Sequence, residues 1–213
     1  VMIFLIVIGA MCGVSMVKFI EEISERYNYE VNFFLVLILI TAVMYAVMFL
    51  SIIIYEAGHL VFGLLSGYKF NSFRIMNLMF IKDNGRMKLK TFKLAGTSGQ
   101  CLMNPPDLVD GHIPVVLSNL GGSIMNLIVA VTALVVMIFV PVNLLWTVVL
   151  SVFMIINLAF AVINGIPIKM GNINNDGRNT LDLIRNKEAV RAFWIQFKLN
   201  EMNSENVRLK DMP

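Results

Sequence analysis

The chain is short of charge. Asp, Glu, Lys and Arg make up 15% of its 213 residues, against about a quarter in soluble domains. Apolar residues reach 58%. So little polar surface cannot coat a water-soluble particle, and the composition specifies an integral membrane protein. Cysteine is scarce as well, with only Cys12 and Cys101 present. Cys12 sits in an apolar run and Cys101 in a basic stretch read as a loop, so a disulfide framework is not expected, and no C-x-x-C metal spacing occurs. No stacking motif or basic helix accompanies the net charge of +3, which argues against a nucleic-acid partner and assigns the positive charge to loops.

Long apolar runs are what the sequence has in quantity. Val1 to Val17 reads as a first span ending at Lys18, followed by an acidic loop to Glu30 with four glutamates against Lys18 and Arg26. Phe33 to Ile54 is a second span, and its helical pattern continues to about Gly67. At a rise of about 1.5 Å per residue such a helix is roughly 50 Å long, more than a hydrocarbon core of about 30 Å, so it must tilt, bend or project. The region 68–113 is polar, with seven basic residues against three acidic. Phe70 to Phe92 alternates loosely about Asp83-Asn84-Gly85, which predicts a small β-hairpin. Asn104-Pro105-Pro106 predicts a turn.

Pro114 to Val140 and Leu144 to Ile163 follow as third and fourth spans, joined tightly through Pro141-Val142-Asn143. Apolar residues at 181, 184, 190, 193, 194 and 197 predict an amphipathic interfacial helix over Thr180 to Met202, carrying Trp194. The expected fold is an all-α polytopic membrane protein with about four transmembrane helices, a hairpin-like cytoplasmic loop over 68–113 and a C-terminal interfacial helix. Residues 1–177 form the membrane domain and 178–213 the amphipathic helix and tail. Lys and Arg concentrate in loop 68–113 and in the tail, while loop 18–30 is net acidic. By the positive-inside rule this predicts a multi-pass protein of the cell membrane with both termini cytoplasmic.

Two ionisable side chains, Glu56 and His59, interrupt the second span. An ionisable group at membrane depth is costly and marks function by default. On a helix Glu56 and His59 stand at i, i+3, and Tyr55 and His59 at i, i+4, so the three can converge. The bland alternative is a buried ion pair locking two helices together. The sharper one is a zinc helix of the H-E-x-x-H kind, which needs two ligands one turn apart with a glutamate beside them. Here Tyr55 stands where that pattern has its first histidine.

Three motifs support the sharper reading. Tyr55-Glu56-Ala57-Gly58-His59 resembles the H-E-x-G-H helix of intramembrane zinc metalloproteases of the site-2 protease family. Gly122-x-x-x-Asn126 resembles the family's G-x-x-x-N, and Asn164-x-x-Pro167 followed by Asp176-Gly177 resembles its N-x-x-P … D-G. They occur in the family's order on three successive predicted helices. The resemblance implies a three-helix catalytic core with the first span and the C-terminal helix added. It further implies one zinc ion held by His59, Asp176 and the position of Tyr55, with Glu56 as base and acid. Gly122, Asn126 and Asn164 are implied to face the substrate, a membrane-spanning or membrane-bound peptide. The stretch from Pro167 to Asp176 is longer than the family's usual spacing. Asn104-Pro105-Pro106 … Asp110-Gly111 mimics the last motif but precedes the third span, and His112 reads as a loop histidine.

Tyrosine has a reference pKa of about 10, so it yields its proton to a metal far less readily than imidazole offers its lone pair. Tyr55 is therefore expected to weaken zinc binding and hydrolysis. A non-catalytic protein that keeps the groove and binds membrane peptides is the second expectation. A transporter subunit is the third, and it lacks the internal repeat that many transporters show.

Overall fold

The computed structural model describes residues 2–27, 32–83, 86–92, 98–171 and 173–204. Its elements run α1 (Met2–Tyr27), α2 (Phe33–Leu65), β1 (Lys69–Ile75), β2 (Leu78–Asp83), β3 (Arg86–Thr91), β4 (Gly99–Asn104), α3 (Val115–Phe139), α4 (Leu144–Gly165), β5 (Lys169–Met170), β6 (Ile173–Asn174), α5 (Asp176–Arg185) and α6 (Lys187–Ser204). Among the described residues three helices are long and apolar enough to cross a membrane: Leu37–Leu65, Val115–Phe139 and Leu144–Gly165. They fall where the apolar runs predict them, and polar caps open α2 and α4. The Asn32 side chain accepts from the Phe34 N–H at 3.0 Å, and that of Asn143 from the Trp146 N–H at 3.1 Å. Each satisfies a backbone donor that a helix start leaves unpaired.

Three expectations need correction. The acidic stretch after Lys18, read as a loop, is helical through Tyr27; Lys18, Glu22 and Arg26 stand four residues apart, the spacing at which opposite charges support a helix. The predicted hairpin is real between β2 and β3, but it is half of a larger object. β1 to β4 form a four-stranded antiparallel sheet in the order β3-β2-β1-β4. Cys101 consequently lies in a strand, not in a loop. Asn84 and Gly85 of the predicted turn lie outside the described residues. Finally, the single C-terminal helix is two. Asn186 ends α5 in extended backbone, and its side chain accepts from the Glu188 and Ala189 N–H groups at 2.9 and 3.3 Å, opening α6.

The chain divides into two compact units, Val1–Ser51 with Met125–Ile163 and Ile52–Ile124 with Asn164–Pro213. In the first, Cys12, Val47, Val152, Ile155 and Ile156 form the buried core, with Ile40, Val43 and Val148 packed on it. One polar link joins α2 to α4 there: the Asn157 amide donates to Ser51 Oγ at 3.0 Å and to the Phe153 carbonyl at 2.8 Å. Ser51 in turn donates to the Val47 carbonyl at 2.9 Å. Phe34, Leu35, Ile38 and Leu39 are exposed, an apolar surface of the kind that lipid, not water, covers.

The second unit holds the C-terminal end of α2, the sheet, the start of α3, and α5 with α6. Its buried cluster is Ile113, Val115, Leu183 and Val190, against which Phe193 and Trp194 pack. α6 is therefore seated on protein along that stripe.

Candidate functional site

Tyr55, Glu56 and His59 occupy the C-terminal third of α2, where the Tyr55 and His59 rings meet edge to face at 4.8 Å between centroids. That contact follows from their i, i+4 spacing. Asp176 reaches the same point from the first turn of α5. Its Oδ2 lies 3.1 Å from His59 Nε2 and accepts a hydrogen bond from the Tyr55 hydroxyl. The other imidazole nitrogen, Nδ1, is 3.0 Å from the Ser118 carbonyl oxygen. A carbonyl can only accept, so Nδ1 carries the hydrogen and Nε2 is the nitrogen turned toward the carboxylate. Fixing the tautomer through a backbone carbonyl is how metal-ligating histidines are commonly oriented.

Asp176 owes its place to the residue before it. The Asn175 side chain accepts from the Ile168 N–H at 3.0 Å and the Arg178 N–H at 2.9 Å, and donates to the Ile166 carbonyl at 2.6 Å. It thereby caps α5 and ties the start of that helix to the chain leaving α4. The extra residues between Pro167 and Asp176 are taken up by the β5–β6 hairpin, in which Lys169 pairs with Asn174. The long spacing thus costs the carboxylate nothing in reach.

Glu56 is buried, 8% exposed, and β4 runs against it. A Cβ added to Gly99 would lie 2.6 Å from Glu56 Cγ, so only glycine lets the strand approach this closely. The Cys101 backbone hydrogen-bonds to the Glu56 carboxylate. Burial, and then the Glu56 charge, push the Cys101 thiol up to about 12. On the other side of the pair, a Cβ at Gly122 would lie 2.6 Å from the Tyr55 ring and 2.7 Å from His59 Nε2. In this structure Gly122 is the gap into which those two rings fit.

An open cavity of about 380 Å³ joins these groups; Tyr55, Glu56, His59 and Asp176 line it with β4, Ser118 and Asn119 of α3, and Phe193 and Phe197 of α6. No protein-family model, curated protein or solved structure matches this chain. Function is therefore read from the side chains themselves.

Of the residues singled out in the sequence, Tyr55, Glu56, His59, Gly122 and Asp176 come together. Asn126 belongs to the other compact unit; it is fully buried, and its amide finds no hydrogen-bond partner among the described residues. Asn164, half-buried at the end of α4, is not among the described residues lining the cavity. Asp107, within the 104–111 stretch that mimics the last motif, is 90% exposed on its side chain and pairs with Lys198 at 3.5 Å. Unforeseen were Gly99 to Met103, Ser118, Asn119, Phe193 and Phe197. Asn175 had a signal, since an asparagine directly before Asp-Gly at the start of a helical stripe is a capping pattern.

A nitrogen and a carboxylate oxygen 3.1 Å apart can both reach one zinc ion at bond lengths of about 2.0–2.2 Å. Among the described residues no group of three His, Cys, Asp or Glu gathers at one point. The third donor beside His59 and Asp176 is the Tyr55 phenol. Two residues fit zinc, and the third fits it only as a phenolate.

Proposed function

We propose that this chain is an intramembrane peptidase of the site-2 protease type whose zinc site is attenuated by Tyr55. Its substrate class is a membrane-spanning or membrane-bound peptide, cut near the cytoplasmic face. The observation that carries this reading is the meeting of His59 Nε2, Asp176 Oδ2 and the Tyr55 hydroxyl, from helices far apart in sequence, beside the buried carboxylate of Glu56. His59, Asp176 and the residue at position 55 would hold the ion. Zinc, when bound, supplies Lewis-acid polarisation of the scissile carbonyl and of water. Glu56 takes the proton of the attacking water and returns it to the leaving amine. Peptide-bond cleavage requires an extended substrate, and β4, an edge strand backing Glu56 through Gly99, offers main-chain groups along which one can lie. The topology that goes with this reading has four spans, α1 included, with both termini cytoplasmic.

A second reading has one observation in its favour. The Tyr55 hydroxyl donates to the Asp176 oxygen that zinc would use, so the pocket is self-satisfied as it stands and could serve a peptide-binding protein without hydrolysis. Tyr55→His separates the two. Purified parent chain is expected to carry well under one zinc, and the Tyr55→His variant about one per chain together with cleavage of a membrane peptide. A variant that binds no zinc and cleaves nothing overturns the peptidase reading.

A further inference from the structure

The cavity has a wall that none of the three motifs supplies. Phe193 and Phe197 stand at i, i+4 on α6, their rings 4.5 Å apart between centroids and tilted by 39°, and both line the space holding Glu56, His59 and Asp176. Both are half-buried, leaving ring surface open to the cavity. β4 contributes Leu102 and Met103 to the same lining. Lys and Arg are absent from the described lining residues.

This wall is held from behind. Val190, one turn earlier on α6, is buried in the cluster with Ile113, Val115 and Leu183. The Trp194 indole N–H donates to the Pro106 carbonyl at 3.0 Å. Lys198 bridges Asp107 at 3.5 Å and Glu201 at 3.1 Å, and lies 5.7 Å from the Trp194 ring centre. One side of α6 is thus anchored to the chain after β4, and the Phe pair is presented to the cavity as a fixed surface. An exposed aromatic pair on a freely rotating helix would carry no such meaning. One seated by a buried valine, an indole hydrogen bond and an ion pair does.

We propose that Phe193 and Phe197 form an apolar subsite that receives a bulky aliphatic or aromatic side chain of the bound peptide, next to the bond facing Glu56. This rests on the peptidase reading. An extended peptide turns alternate side chains to opposite faces, so one laid along β4 offers every second side chain to α6. Two aromatic faces favour a large uncharged group over a small one, and pockets of this kind discriminate by about 10- to 200-fold per methylene-scale difference.

The test uses the whole 213-residue chain in proteoliposomes and a synthetic peptide with an apolar segment of about 20 residues. In the Tyr55→His protein, kcat/KM is measured for peptides with Leu, Phe, Ala or Lys at each position flanking the cut. One position is expected to favour Leu and Phe over Ala by about tenfold or more. Phe193→Ala with Phe197→Ala should erase that ratio and Phe193→Leu with Phe197→Leu should keep it; an alanine variant that lowers kcat/KM for all the peptides alike, with the ratio kept, marks a merely structural role for the rings and overturns the subsite. In parallel, the parent chain is photolabelled with the same peptide carrying a diazirine leucine at each position in turn. Labelling is expected within residues 187–204 from one position and is lost with the double alanine variant. No labelling of α6, or a preference for Lys at that position, overturns the subsite. Labelling of α6 without any cleavage by Tyr55→His overturns the peptidase reading and leaves the subsite standing.

Discussion

Asn157 and His59 make a useful pair, one from each compact unit. Each is a polar side chain on a mainly apolar helix, and each reaches across to another element. Asn157 finds a hydroxyl and a carbonyl, Ser51 and Phe153, and the exchange ends there. His59 finds a carbonyl on one nitrogen and, on the other, a carboxylate that a phenol also engages. In the first unit Asn157 and Ser51 serve to register two helices. In the second, polar groups are gathered, beside a buried acid and an open cavity, in a number larger than packing alone requires. The contrast shows where to look for chemistry in an apolar chain: not at buried polar residues as such, but where several of them share one neighbour.

The comparison can be broken most forcefully at Glu56. In the Tyr55→His protein, Glu56→Gln should lower cleavage by about 10²- to 10⁴-fold, the range for losing a general base, with zinc content unchanged by metal analysis. Equal loss of metal and activity would reassign Glu56 as a ligand. Next in size is Asn175→Ala, which removes the clamp behind Asp176. Zinc affinity of the Tyr55→His protein, by competition with a chromophoric chelator, should fall about 10- to 100-fold, the usual cost of losing a group that orients a ligand.

Asn157→Ala is the mirror experiment. Unfolding in detergent should show a loss of about 1 kcal/mol, the scale of interhelical hydrogen bonds in membrane proteins, with zinc affinity untouched. A change in metal binding here would erase the distinction between the units. The smallest effect concerns Cys101, in a Cys12→Ala background. Its thiol sits near 12, above the ordinary value, so at pH 8 almost none is thiolate and alkylation is slow. The rate should still be climbing between pH 9 and 11, where an ordinary thiol has levelled off. Glu56→Gln removes the charge that helps hold the proton on, and should shift the profile to lower pH.

Much of this is legible in the sequence alone. Apolar runs located α2, α3 and α4 because a membrane helix is specified by composition and length. The convergence of Tyr55 with His59 follows from helical spacing alone. The sheet was only half legible: Gly99 to Asn104 alternates too weakly to announce a strand, and its place beside Glu56 depends on a missing side chain at Gly99. The break at Asn186 was hidden because the apolar stripe continues through it, and a capping asparagine inside a periodic pattern looks like a tolerated polar residue. By sequence, Phe193 and Phe197 are stripe residues of an interfacial helix. What they face is decided by α6 packing on Ile113 and Val115, a contact between distant parts of the chain that no local pattern carries.

The Asn175 clamp has a practical corollary. Because it pins Ile166, Ile168 and Arg178 together, the β5–β6 hairpin is a side branch whose length does not enter the position of the carboxylate. A foreign epitope spliced between Met170 and Ile173 is therefore expected to leave metal affinity intact. An antibody to it, added to sealed vesicles of known orientation, would then show on which face of the bilayer the pocket lined by Glu56, His59 and Asp176 opens.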